Sequence, residues 1–232
     1  NGVDLAGDGG MVWIKNWDSG SYGHNIFDTE RGTGKMLTIS NTSAEANETN
    51  TITQFNSNGF RINGDNNINK DDDDYVSYSF KNTPGFFDCV KYTGNAATSR
   101  DISHNLGCRP GMIILRNYSD GGQWWVYHHE LEEQQDDANW SMVQKWNSDG
   151  TRQNNIENLG SDTTHTATTF RIGSGQSSND NGASYIAYLF AGSHNTGVTG
   201  ARSIKYPVTS TDGDHSNNYI KVANSSDYNL GS

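Results

Sequence analysis

Several sets of residues in this 232-residue chain have the types and spacing to do chemistry. Asp71, Asp72, Asp73 and Asp74 stand in a row within "DNNINKDDDD" and are the metal candidates. A calcium loop takes oxygen ligands at alternate positions, with backbone carbonyls filling in. Here oxygen donors abound but the alternation is missing, so the spacing favours a solvated loop, and no cofactor is expected beyond Ca²⁺ on this run. His128 and His129, followed by Glu130, Glu132 and Glu133, suggest zinc. Zinc-binding histidines are spaced to share a face, as in His-Glu-x-x-His, whereas adjacent residues of a strand point to opposite sides. Surface or interface side chains are therefore expected. Asp28 and Glu30 of "FDTERG" are spaced to share one strand face about 7 Å apart, within the range of glycosidase carboxylate pairs. The neighbouring Arg31 argues instead for an ion pair.

Trp124 and Trp125 in "QWWVY" fall on opposite faces of a strand. That leaves room for one exposed ring as a contact for a glycan or a partner, but core or subunit interface is the favoured reading of the pair. Trp13, Trp17, Trp140 and Trp146 are read in the same two ways, as core or as contact surface. Cys89 and Cys108 are too few for a disulfide framework or a zinc site by themselves. A bridge and two separate buried thiols both remain open. His104 in "ISHNLG" is read as a structural hydrogen-bonding residue.

The elements that must position these residues are written twice. "GMVWIKN" at Gly10 returns as "GMIILRN" at Gly111, and Phe27 matches Tyr127. "MLTISN" from Met36 faces "MVQKWN" from Met142. "FRINGDNNINKDDDDYVSYSF" from Phe60 faces "FRIGSGQSSNDNGASYIAYLF" from Phe170, with equal spacing from the Phe to the first Tyr. The aspartate run occurs in one copy only, so the fold closes this hairpin without it. In "YVSYSF" and "YIAYLF" both alternating faces carry bulk, as in a strand between two packed layers. No stretch of 12 or more residues holds a helical period. The expectation is all-β: two tandem, sequence-related antiparallel β-sandwich-like modules, at residues 1–100 and 101–192. The segment from "GFFDCVKYTGN" to Met112 reads as strand, turn, strand, a rigid joint rather than a flexible linker. Residues 193–232 read as a small polar linker and the first strand of a further lectin-like β domain.

Composition narrows the partners. Only 32% of residues are hydrophobic, yet 11% are aromatic, which suits a polar-surfaced protein with an aromatic core rather than a disordered chain. The formal charge of −11 opposes binding to nucleic acid or to an anionic membrane surface. No apolar run approaches the roughly 18–20 residues needed to span a bilayer. The chain opens without Met and reads as a piece of a longer polypeptide.

The ordered strings "VWIKN", "FDTERG", "SNTSAE", "FNSNGFRI", "YVSYSF", "GFFDCVKYTGN", "DISHNLGCRPGMIIL" and "YIAYLFA" resemble a repeat module of virion proteins of tailed phages, of the marine and cyanophage kind. The resemblance covers roughly residues 8–192. The final "NNYIKVANSSDYNLGS" is similar to the opening strand of a concanavalin A-like, laminin-G-type domain. Cys89, Cys108 and the aspartate run depart from the module's shared pattern. The resemblance implies a non-enzymatic virion appendage protein, a fibre, spacer or capsid decoration that gives a rigid scaffold and an adhesive contact surface. It implies a homo-oligomer, a trimer being favoured, in contact with other virion proteins and with host surface glycans, and it carries over no catalytic residue. The alternative from another class is a secreted carbohydrate-binding or adhesin module of a bacterium. A polysaccharide depolymerase would need a carboxylate pair in a cleft.

Overall fold

The computed structural model describes residues 3–129, 142–147, 153–154, 159–160 and 164–192. The chain is all-β and every strand pairing is antiparallel. The first repeat runs β1 (Gly10–Asn16), β2 (Asn25–Asp28), β3 (Lys35–Thr38), β4 (Ala46–Asn47), β5 (Ile52–Asn56), β6 (Gly59–Ile62), the one-turn helix α1 (Asn66–Asn69) and β7 (Tyr75–Lys81). Two further strands come next, β8 (Phe87–Thr93) and β9 (Ser99–Ser103). The second repeat then runs β10 (Pro110–Asn117), β11 (Trp125–His128), β12 (Met142–Lys145), β13 (Gln153–Asn154), β14 (Thr169–Gly173), the one-turn helix α2 (Gln176–Asn179) and β15 (Ser184–Ala191).

A five-stranded sheet has the order β4-β3-β2-β1-β7, and a six-stranded sheet the order β13-β12-β11-β10-β15-β8. The repetition extends to register. Met11 faces Phe80 and Asn16 faces Tyr75, just as Met112 faces Phe190 and Asn117 faces Tyr185. Val12 faces Phe27 as Ile113 faces Tyr127. One correspondence differs from the reading by sequence. Leu37 faces Ile26 and Gln144 faces Val126, so Met36 corresponds to Val143 rather than to Met142. The shared methionine misleads by one position, because a strand's register follows which side chains face the core.

Alternation along each central strand divides its side chains between two cores. Val12 and Ile14 join Phe27, Ile52 and Ile68 under the β5–β6 hairpin and α1. Ile113 and Leu115 join Trp125, Tyr127, Phe170 and Tyr185 under the β9–β14 pair. The intervening residues, Met11 and Ile114 with Ile26, Leu37, Trp124 and Tyr188, form a third core where the two sheets lie face to face. The order of layers is thus hairpin, sheet, sheet, strand pair. By hydrogen bonding β8 and β9 go with the second repeat, β8 with β15 and β9 with β14, although β8 lies before residue 100.

The one-turn helices are held alike. The Tyr75 hydroxyl accepts from the Lys70 amide at 2.8 Å and donates to the Asn66 carbonyl at 3.0 Å. The Tyr185 hydroxyl accepts from the Asp180 amide at 2.8 Å and donates to the Gln176 carbonyl at 2.7 Å. This clamp explains why "FRI" and "Y" keep their spacing while the residues between them change.

Candidate functional site

The face-to-face packing of the sheets leaves an open cleft of about 440 Å³ along their seam, lined by Met11, Trp13, Phe80, Met112, Ile114, Val126, Gln144, Lys145, Trp146 and Phe190. Each repeat contributes its corresponding residues: Met11 and Met112 from the first core strands, Phe80 and Phe190 from the last. Alternation turns Trp13 away from Val12 and Ile14 and into the seam. There its ring meets Trp146 edge-on at 5.1 Å, His24 at 5.5 Å and Tyr78 at 6.0 Å. The Trp13 indole N–H donates to His24 Nδ1 at 3.1 Å, which fixes the indole's tilt. Desolvation, then the charge of Lys15, pulls His24 below its ordinary value, which favours the neutral imidazole that can accept this bond. Phe80 and Phe190 meet edge-to-face at 5.4 Å on the floor. Tyr78, 54% exposed, and Phe86, 50% exposed, stand beside the cleft as unburied aromatic rings. The walls therefore offer ring faces and thioethers, with the Gln144 amide to orient what enters, while the Lys145 ammonium lies on the other side of the sheet, 5.3 Å from the centre of the Trp125 ring. Such a surface binds apolar or ring-shaped groups.

The sequence-derived candidates fall elsewhere. Trp124 and Trp125 do face opposite sides, but they are 0% and 4% exposed and neither offers a ring to solution. Trp124 lies in the seam core with its indole N–H on the Thr38 carbonyl at 3.2 Å, and Trp125 lies in the core under β9–β14. Both rings go into cores because β11 is an inner strand with a core on both faces. Of the other tryptophans, Trp17 is 76% exposed, and the cleft is walled by the half-buried Trp13 and Trp146. They lie far apart in sequence and meet only because the repeats stack, so only the alternation of "VWIKN" pointed toward the seam.

Asp71, Asp72 and Asp74 are a loop, as the spacing suggested. Asp72 takes a left-handed backbone at φ 62°, where the second repeat has Gly182 at φ 81°. Asp73 is engaged by Lys70 at 2.7 Å and by the Asn16 side-chain amide at 2.7 Å. The bond from Lys70, then that from Asn16, holds its carboxyl below the usual range. Among the described residues no three His, Cys, Asp or Glu side chains converge in a way that would hold a metal.

Asp28 and Glu30 do not share a strand face. β2 ends at Asp28, and the chain turns so that the amides of Arg31 and Gly32 bond back to Asp28. Asp28 instead anchors a buried knot. Its carboxylate pairs with Arg31 Nε at 2.6 Å and accepts the Tyr188 hydroxyl of the other repeat at 2.7 Å. Arg31 also reaches Glu45 at 3.0 Å and the Ile26 carbonyl at 3.2 Å. Burial, then the Asp28 charge, pushes the Tyr188 phenol well up, which keeps it a donor.

His128 and His129 do not diverge either. Their rings stack at 4.8 Å because the strand ends at His128, and His129 is buried. Glu130, Glu132, Glu133, Trp140 and residues 193–232 lie outside the described residues. Cys89 and Cys108 are free and buried, one in the seam core and one in the core on the far side of the same sheet. Burial pushes both thiols up, Cys89 well up, so neither is poised as a nucleophile. The His104 imidazole accepts the Leu106 amide at 3.2 Å, a structural bond within the loop ahead of β10.

Residues 2–201 match the model of one family, a domain of unknown function, DUF7483. The chain belongs to that family. No curated protein and no solved structure matches it.

Proposed function

We propose that this member of the DUF7483 family is a non-catalytic scaffold and contact module of a virus particle, a fibre, spacer or decoration subunit, whose aromatic seam cleft is its contact point. The observation that carries the reading is the cleft itself, a built concavity of ring faces on a body made rigid by three cores and the buried Asp28–Arg31–Tyr188 knot across the repeats. Coupled layers of this kind transmit load as one unit, which suits an appendage. The placement on a virion rests on the sequence resemblance. Gold-labelled antibody against this chain, applied to particles and cells of the source culture, tests it. Label on heads or tails supports the virion reading, and label confined to cell surfaces overturns it.

A second reading is a glycan-binding adhesin. It is favoured by the exposed Tyr78 ring beside Trp13 and Trp146, with Gln144 at hand to bond a hydroxyl. Affinity for a polysaccharide that disappears in Trp13→Ala, with the fold intact, would select this reading. Binding left unchanged by Trp13→Ala would remove the cleft from either role.

A further inference from the structure

The two repeats share strands and registers, yet among the described residues only one is closed at its edge. In the second, β8 covers the outer edge of β15 from Ser184–Thr93 to Phe190–Phe87. In the first, the corresponding strand β7 is the last of its sheet among the described residues, with Ser77 and Tyr78 exposed.

The turn between β8 and β9 sits on α2. The Asn179 carbonyl accepts from the Ala96 amide at 2.8 Å, its Oδ1 accepts from the Asn95 amide at 3.0 Å, and its Nδ2 donates to the Ala97 carbonyl at 2.9 Å. Gly94 exchanges bonds with Ala183 and Gly182, so close that a Cβ on it would lie 2.0 Å from the Asp180 carbonyl. The first repeat keeps the receiving groups. Asn69 corresponds to Asn179 and Tyr75 to Tyr185 by their equal spacing from Phe60 and Phe170. Asn179 is fully buried, whereas Asn69 is exposed and its side chain has no hydrogen-bond partner among the described residues.

The seam carries the same asymmetry. On one side β8 brings Phe87 and Cys89 against Ile26, Leu37 and Ile39. Their counterparts in the second repeat, Val126, Gln144 and Trp146, line the open cleft. The cleft occupies the place where the partner of β7 would put its own Phe87 and Cys89.

We propose that β7, the Asn69 turn and the seam cleft together form a docking site for an antiparallel β-hairpin of the β8–β9 kind, donated by another repeat unit of this family. This deepens the reading of the cleft as a contact point and rests on it. The incoming strand adds to the edge of β7 in the register that β8 uses on β15, its phenylalanine facing Phe80 and entering the cleft, its tyrosine stacking on Tyr75 as Tyr92 stacks on Tyr185 at 5.1 Å. Main-chain bonds supply affinity and the cleft supplies register. Ser77 and Ser79, in place of Ala187 and Leu189, keep the edge polar enough to stay soluble before it is filled. The topology fits: β9 leads through His104 to Leu106 and β10, and Leu5 precedes Met11 by the interval that separates Leu106 from Met112, both leucines being buried.

The test fuses a second copy of Phe87–Ser103 directly ahead of Val3, which reproduces the spacing of the natural hairpin and raises its effective concentration to the millimolar range. Amide exchange is then read residue by residue, with the chain as it stands as reference. The expected result is exchange of the β7 amides slowed by about a hundredfold or more, reversed in large part by Asn69→Ala in the fused chain. Free Phe87–Ser103 peptide carrying Cys89→Ser should bind the unfused chain saturably and lose binding when its strand amides are N-methylated. Unchanged β7 exchange in the fused chain overturns the proposal. So does protection of β7 that already rises with concentration in the unfused chain, which would mean edge-to-edge pairing of two copies. If the hairpin fails to dock while Trp13→Ala still abolishes binding to virion or glycan partners, the inference falls and the reading of the cleft stands.

Discussion

Replacing Asp28 by Asn is the sharpest test of how the two repeats are joined. The side chain keeps its shape but loses its charge, and three interactions change at once: the Arg31 Nε pair at 2.6 Å, the Arg31 amide bond at 2.8 Å and the Tyr188 hydroxyl bond at 2.7 Å. Asp28 is 0% exposed and the Arg31 side chain 1%, so water cannot replace the lost partner. Breaking a buried ion pair from one side costs about 3–5 kcal/mol, because the remaining charge is left without compensation. Glu45 still faces Arg31 at 3.0 Å, which places the expectation near the low end, about 3 kcal/mol.

Urea denaturation at neutral pH, followed by tryptophan fluorescence, measures it. A loss of about 3 kcal/mol with an unchanged slope supports the argument. Tyr188→Phe should cost less, about 1.5–3 kcal/mol, since it removes one bond to a charged group and leaves the ion pair in place. Both variants should still unfold in a single transition, because the seam core persists. A loss below about 1 kcal/mol for Asp28→Asn would refute the reasoning, since it would mean that Arg31 is solvated or paired elsewhere.

Of the tyrosine clamps, Tyr185→Phe, at a fully buried ring, should cost about 1–3 kcal/mol in urea titrations, and Tyr75→Phe less, because water reaches the Asn66 carbonyl it releases. Trp124→Ala should cost about 3–5 kcal/mol as a cavity in the seam core, and Trp13→Ala clearly less, while only the latter should impair binding at the cleft. Desolvation is the main cause that pulls buried His165 down to about 3, so the folded state keeps this imidazole neutral while the unfolded chain protonates near 6.5. Stability should accordingly be intact above pH 6.5 and fall between pH 6.5 and 3, by up to about 1.4 kcal/mol per unit from this residue, a slope that His165→Gln should reduce. Millimolar Ca²⁺ should leave the melting temperature of the chain unchanged; a rise that Asp73→Asn abolishes would reveal a site in the aspartate loop.

The architecture was legible in the sequence wherever one strand's own pattern decides it. Period-two alternation in "YVSYSF" and "YIAYLF" gave strands with two apolar faces, and comparing the copies showed that the hairpin closes without the aspartate run. The ion pair of Asp28 with Arg31 was legible for a local reason, since the two are neighbours in a turn. What the sequence did not reveal depends on how layers stack. Exposure of Trp124 or Trp125 cannot be judged from alternation, because alternation says which side a ring faces and not whether another layer lies there. The termini of β2 and β11 were also hidden, and with them the true geometry of Asp28–Glu30 and His128–His129, because strand ends are set by turn bonds rather than by side-chain pattern.

The seam shows why an internal repeat can nonetheless produce a site in one place only. A two-fold relation between the repeats would place two like clefts, one at each edge of the seam. β8 fills one of them with Phe87, which meets Phe190 at 5.0 Å and Phe80 at 5.5 Å. The strand that breaks the symmetry therefore makes both the closed core and the open cleft, and the difference between the repeats lies in chain connectivity more than in residue type. Phe80 and Phe190 correspond in the two repeats and remain in contact at 5.4 Å beside that opening. The opening accordingly reflects the lack, among the described residues, of a β8-like strand on the β7 side, a property that no motif within either repeat could express.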